Sequence, residues 1–317
     1  MADNEHLWAW QTMNLIGHEK VKKLLEQTSA NSLILEGAAR VGRRGLAKWY
    51  AMRLNCKAPV ELEPCGVCAS CQNFLSGSHS DLLEISPREE TSTGKRARVS
   101  LIPIGAISAS HDTGKDFENH VLEFIELSPR YQHKVIIFDG AQFLNESAAN
   151  ALLKSIEEPP HKARFVFITE DASGMIPTIV SRSQRYRVPP VPDFILEQHM
   201  SIIDPELLAF AAGRAGLIFE AEKTKAVMNS AKNFLEKLQL GLLEALTAAD
   251  MLEKNFDRLL TPDALRFALR NLEAPARIKA DTALETTIHA LERYATPSTA
   301  FSSLALQWRK ALGVAED

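Results

Sequence analysis

The chain has 317 residues, 45% of them hydrophobic and 24% charged, with 36 Lys and Arg against 40 Asp and Glu for a net charge of −4. That composition excludes collagen-like repeats, low-complexity disorder and a disulfide scaffold, and the length suggests two or three domains. No apolar run approaches the ~18 residues that a membrane span needs. The start, Met-Ala-Asp-Asn-Glu-His, lacks the basic and apolar stretches of a signal peptide, so a cytoplasmic protein is expected.

The charge is unevenly placed. Residues 1–190 carry 22 basic and 22 acidic side chains, and residues 191–317 carry 14 and 18. Neither part has the basic excess with which a protein grips DNA unaided, because phosphate neutralisation supplies most of that affinity.

In chain order, short apolar runs predict buried strands at Ser32–Glu36, Leu82–Ser86, Val135–Asp139 and Arg164–Thr169, with a weaker fifth at Arg185–Val188. Helical patterns lie near residues 18–28, 43–55, 116–127 and 145–157. Strands alternating with helices predict an α/β fold, a parallel sheet covered on both faces, with binding sites at the carboxyl ends of its strands. The polar stretch Pro87–Ser100, with Arg88, Lys95, Arg96 and Arg98, reads as a solvated loop, with a nucleic-acid contact as the alternative. Pro189, Pro190 and Pro192 form a stiff connector and a candidate domain boundary. Beyond it the chain reads as helices. Asp204-Pro205, Thr261-Pro262 and Thr296-Pro297 each place a capping residue before Pro at a first helical position, and Gly213 and Gly313 serve as stops.

The first strand runs into Gly37-Ala-Ala-Arg-Val-Gly42-Arg43-Arg44 and then a helical pattern. This is the frame of a phosphate-binding loop, Gly-x-x-x-x-Gly-Lys-[Ser/Thr], whose glycines let backbone N–H groups wrap phosphates at a helix N-terminus. Two glycines at that spacing also occur in chance loops. Both glycines are in place, but the Lys position holds Arg43 and the Ser/Thr position holds Arg44. Arg cannot ligate Mg²⁺, which takes oxygen ligands, and is not interchangeable with Lys. Val135-Ile-Ile-Phe-Asp139 has the form of a Walker B strand, whose Asp would hold Mg²⁺ through water; the alternative is an Asp starting a turn. The next position, where a catalytic base would stand, is Gly140. The frame is therefore degenerate, and no working nucleotide site is expected in this chain.

All four cysteines fall at Cys56, Cys65, Cys68 and Cys71. Tight Cys-x2-Cys turns aim sulfurs at one ion, and four thiolates suit a closed, structural Zn²⁺ site. An iron–sulfur cluster is the rival, but the ferredoxin run needs another Cys after Cys71, and none follows.

Together these residues resemble bacterial clamp-loader subunits of the AAA+ class. The resemblance rests on Ile16-Gly17-His18-Glu19, the phosphate-loop frame, the cysteine spacing, and Ser147-Ala-Ala-Asn-Ala-Leu-Leu-Lys-Ser-Ile-Glu-Glu-Pro-Pro160. Ile176-Pro177-Thr-Ile-Val-Ser181-Arg182-Ser183 closes the module. The match covers roughly residues 14–190 and is thin beyond Val191. Two kinds of member carry the zinc insertion, the ATP-hydrolysing gamma/tau motor and the non-hydrolysing delta-prime type, and the broken frame resembles the second.

The resemblance implies an AAA+ module over 1–189 with the zinc insertion at 56–71, a helical lid over 190–233 and a helical collar over 234–317. It implies a five-membered ring with gamma/tau and delta subunits that loads a sliding clamp onto primed DNA for DNA polymerase III. It also implies a role for Arg182. In the family this arginine reaches the ATP held by the neighbouring motor subunit, where a guanidinium donated in trans offsets charge growing on the phosphoryl group. The family Cys after it is Ser183 here. Thr169 falls at the sensor position and is read as structural, and Arg214 is given no role. Read from residues alone, Arg182 is a surface arginine. Two further functions are weighed: the ATP-hydrolysing motor itself, and a zinc-bearing DNA-binding module outside any loader.

Overall fold

The computed structural model describes residues 15–90, 96–114, 116–200, 204–293 and 295–314. The chain divides into two compact units, Met1–Ser201 with Gly213–Gly216, and Ile202–Ala212 with Leu217–Asp317. The Pro189–Pro192 connector lies within the first unit.

The first unit opens with helix α1 (Glu19–Glu26), strand β1 (Ser32–Glu36) and helix α2 (Arg43–Asn55). Helix α3 (Ala69–Leu75) and strand β2 (Leu82–Ile85) follow, then β3 (Arg88–Glu90) and β4 (Arg96–Leu101). Next come α4 (Ile104–Ile107), α5 (Val121–Glu126), β5 (Val135–Asp139), α6 (Glu146–Glu157) and β6 (Arg164–Thr169). The unit finishes with α7 (Pro177–Val180), β7 (Gln184–Arg187) and α8 (Asp193–His199). The five-stranded sheet has the order β2-β5-β6-β1-β7, and every pairing in it is parallel.

Side chains of a strand alternate between faces, and a parallel sheet buries both. Ile34, Ile136, Phe138, Phe165 and Phe167 enter one core with Ala148, Ala149 and Leu152 of α6. Their neighbours Leu33, Leu35, Ile137, Val166 and Ile168 enter a second core with Val21 and Leu25 of α1 and Leu46 and Trp49 of α2. These strands read as unbroken apolar runs because each face has its own covering helices.

Three expectations change. Pro87–Ser100 is not wholly a loop, because β3 and β4 pair antiparallel as a hairpin; Lys95 lies outside the described residues. The helix expected from residue 116 starts at Val121, because the Asp112 carboxylate takes the N–H groups of Asp116 and Phe117 in a local turn. Thr261 does not cap a helix. Asp257 accepts from the N–H groups of Leu259 and Leu260, so the helix begins one residue before Thr261.

Past the first unit's main run, the chain is helical: α9 (Pro205–Ala211), α10 (Ala215–Phe219), α11 (Ala221–Lys237), α12 (Leu242–Lys254), α13 (Leu260–Ala268), α14 (Ala274–Glu292) and α15 (Pro297–Ala311). Asp204 caps α9, accepting from Glu206 N–H with Pro205 at the first helical position. Phe234 and Trp308 pack together with ring centroids 5.5 Å apart, and the Trp308 indole donates to the Ala280 carbonyl. Among the described residues, no helix is long and apolar enough to cross a membrane.

Candidate nucleotide cradle and metal centre

The phosphate-loop frame lies where an open parallel sheet places ligands, at the carboxyl ends of its strands. Gly37 leaves β1 so close to its neighbour that a Cβ there would stand 2.4 Å from the Val188 carbonyl oxygen. Gly42, at φ 112°, is the N-cap of α2, a conformation that L side chains rarely adopt. The His18 ring donates from Nε2 to the Val41 carbonyl at 2.8 Å, and burial lowers its pKa. Both glycines of the frame therefore stand at positions where a side chain is crowded or strained.

Its charged side chains are arranged differently. The Arg44 guanidinium donates from Nε and Nη2 to Glu84 Oε2 at 3.1 and 2.8 Å, and its Nε lies 3.7 Å from Asp139 Oδ2. Lys48 Nζ is 2.8 Å from the other Glu84 oxygen. Burial works against the Glu84 charge, but hydrogen bonds and charges from Lys48 and Arg44 hold its carboxyl below the ordinary range. A protein cation therefore faces the two carboxylates at the strand ends, where a metal-dependent site would offer them to Mg²⁺. Burial lowers the pKa of the Arg43 guanidinium against the pull of Glu170 and Asp139, and its Nη1 has no hydrogen-bond partner among the described residues. Gly140 has φ 91°, and a Cβ there would meet Phe143 at 3.0 Å and Pro87 at 3.2 Å. Any side chain at that position is strained by the backbone and crowded by these two residues. Thr169 is buried, and its hydroxyl donates to the Asp171 carbonyl at 2.9 Å. Glu84 and Lys48 were not expected. Glu84 alternates within an ordinary strand, and no spacing marks it.

The four cysteine sulfurs lie within 4.8 Å of one another. Zn–S bonds of about 2.3 Å place tetrahedral sulfurs about 3.8 Å apart, and Cys65 and Cys71 are separated by 3.9 Å. A disulfide needs about 2.05 Å, and all four are free thiols. Cys65 N–H donates to Cys56 Sγ at 3.2 Å and Cys68 N–H to Cys65 Sγ at 3.4 Å, contacts that favour thiolates. Burial opposes ionisation at Cys68, but backbone N–H groups of Lys57 and Cys71 outweigh it and bring the thiol down to about 6. Burial pushes Cys56 and Cys71 up. Ionising all four together therefore calls for a cation, and the set fits a single metal ion.

The segment that carries the cysteines is tied to the rest of the unit on two sides. Ser70 of α3 meets His79 Nε2 at 3.0 Å. Glu63 accepts from the buried Lys22 at 3.1 Å and from the Trp49 indole at 3.1 Å.

Arg182 follows α7, its N–H bonded to the Ile179 carbonyl. Its Nε pairs with Glu157, and Nη1 donates to the Thr178 carbonyl at 3.2 Å. The hydroxyl of Ser183 donates to the Ile179 carbonyl at 2.8 Å and lies 2.6 Å from Ser32 Oγ, fixing the segment against the start of β1.

The family described as "DNA polymerase III, delta subunit" matches residues 17–192. The chain belongs to that family. Its similarity to curated proteins spans more than one subunit of the polymerase III group. Over 160 residues it is 33% identical to DNA polymerase III subunit delta' of Pseudomonas aeruginosa, covering 50% of this chain and 43% of that one. Over 260 residues it is 28% identical to DNA polymerase III subunit tau of Bacillus subtilis, covering 80% of this chain and 39% of that one. The chain thus spans less than half the length of these two relatives. A solved DNA polymerase III gamma subunit-related protein from Thermotoga maritima shares the fold, with a TM-score of 0.54 at 20% identity over 92% of this chain and 98% of that one. This family member therefore has an AAA+-like fold with a cysteine cluster able to hold a metal ion, followed by all-helical regions, and is related to the delta', gamma and tau clamp-loader subunits.

Proposed function

We propose that the chain is a non-hydrolysing clamp-loader subunit of the delta-prime type. The observation that carries this reading is Arg44, at the Mg²⁺-ligand position, paired with Glu84 and close to Asp139. Together with Arg43 and Gly140, it leaves the cradle without a Lys, a hydroxyl ligand or a base. In this reading the chain contributes Arg182 in trans to ATP bound by a neighbouring motor subunit, and Zn²⁺ on Cys56, Cys65, Cys68 and Cys71 is structural. Lid (190–233) and collar (234–317) segments join it to gamma/tau and delta subunits in a cytoplasmic ring that loads a sliding clamp onto primed DNA.

The test is a loader reconstituted with its partner subunits. Arg182→Ala should leave assembly and melting temperature unchanged while lowering DNA-stimulated ATP turnover by about 10³-fold. Unchanged turnover removes the finger.

A second reading, an ATP-hydrolysing gamma/tau-type motor, is favoured by the long match to a tau subunit, which covers 80% of this chain. The two readings part on Mg²⁺-dependent nucleotide binding by the isolated chain. Nothing specific favours the zinc-bearing DNA-binding module.

A further inference from the structure

Two segments far apart in sequence meet at Arg182. Helix α6 carries Ser155-Ile156-Glu157 at its end, and Pro159 and Pro160 stop it there. Ile156 of α6 and Ile179 of α7 are buried in the same core. Both backbones are thereby anchored, and the charged residues Glu157 and Arg182 meet at the surface above them.

The contact has a direction. Glu157 takes Nε of the guanidinium. The Thr178 carbonyl and the Ser181 hydroxyl take Nη1, at 3.2 and 3.4 Å. Nη2 has no partner among the described residues, and the side chain is 36% exposed. A guanidinium presents its donors in a fixed planar fork. Holding Nε and Nη1 therefore fixes where Nη2 points.

We infer that Glu157 is a positioning residue for Arg182, orienting the guanidinium so that its Nη2 edge faces outward toward an anion. The anion class is the terminal phosphoryl group of a nucleotide held by another subunit, and this inference rests on the finger reading above. A finger left free to swing would have to be ordered during the reaction, and misplacement by about 1 Å costs on the order of 10²-fold in rate. A carboxylate on Nε removes that search before the phosphate arrives.

The experiment uses the reconstituted loader with Glu157→Ala, Glu157→Gln, Arg182→Ala and the double variant Glu157→Ala/Arg182→Ala. The inference predicts that Glu157→Ala lowers kcat of DNA-stimulated ATP turnover about 10-fold with KM for ATP nearly unchanged. Glu157→Gln, whose amide oxygen still accepts from Nε, should recover most of that loss. The double variant should be no slower than Arg182→Ala, because without the arginine there is nothing left to orient. Wild-type turnover by Glu157→Ala alongside a slow Arg182→Ala overturns this inference alone. Losses that multiply in the double variant overturn it too, as a merely structural role would make them do. Unchanged turnover in Arg182→Ala overturns the finger reading itself. If Glu157→Ala fails to fold, Glu157→Asp, which draws the carboxylate back by one methylene, replaces it with the same expected loss.

Discussion

At the scale of single residues, the candidate cradle has both frame glycines, with Arg43 and Arg44 where the frame calls for Lys and for Ser or Thr. Gly37 is required by the Val188 carbonyl, 2.4 Å from where a Cβ would stand. Gly37→Ala should therefore lower stability by about 2–3 kcal/mol in denaturant unfolding. Gly77→Ala, at φ +71° in open space, should cost only about 1 kcal/mol, and equal losses at both positions would contradict the close-approach argument. His79 is a buried titrating group. Its Nδ1 accepts from Asp81 N–H at 3.2 Å, so its proton sits on Nε2 against Ser70. Burial lowers its pKa to about 4, with the Lys134 charge adding to that and Asp81 opposing it. The folded pKa is depressed below the unfolded value near 6.5, so the buried neutral imidazole contributes fully above that pH and its contribution fades as pH falls toward 4. The loss is roughly 3 kcal/mol at most. Unfolding midpoints measured between pH 7 and 4.5 should fall more steeply for wild type than for His79→Gln; parallel curves would contradict the assignment. Arg43, Arg44 and Gly140 were legible in the sequence because a known frame says what should stand there. Glu84 and Glu157 were not, because their partners lie 40 and 25 residues away and only the fold joins them.

At the scale of elements, the sheet strands were readable because buried parallel strands are continuous apolar runs. Helix starts were less so. At Asp257 and Asp112 a carboxylate captures backbone N–H groups and sets the start in a way that a Thr-Pro pair or an apolar period does not reveal. The cysteine module was fully marked by spacing, and the structure adds its attachments: Ser70 to His79, and Glu63 to Lys22 and Trp49. These attachments predict that metal loss is felt by helices α1 and α2. Elemental analysis should find one zinc per chain, with an iron-bearing preparation overturning that assignment. Cys68→Ser should lose the metal and lower the melting temperature by several degrees. Trp49 emission should shift as well, because Glu63, its indole's acceptor, sits two residues from Cys65. Unchanged emission on metal removal would separate the module from the fold.

At the scale of the whole molecule, the net charge of −4 and the balanced first 190 residues accord with a chain that contacts DNA, if at all, as one member of an assembly. What this chain does carry is a candidate phosphate cradle beside which Glu84 is paired with Arg44 and Lys48. The central claim is that this cradle no longer works as an Mg²⁺-ATP site. Equilibrium titration of the isolated, zinc-loaded chain with ATP, with and without Mg²⁺, tests it most directly. The account predicts no saturable Mg²⁺-dependent binding up to millimolar ATP; micromolar affinity that requires Mg²⁺ would contradict it and make the chain a motor.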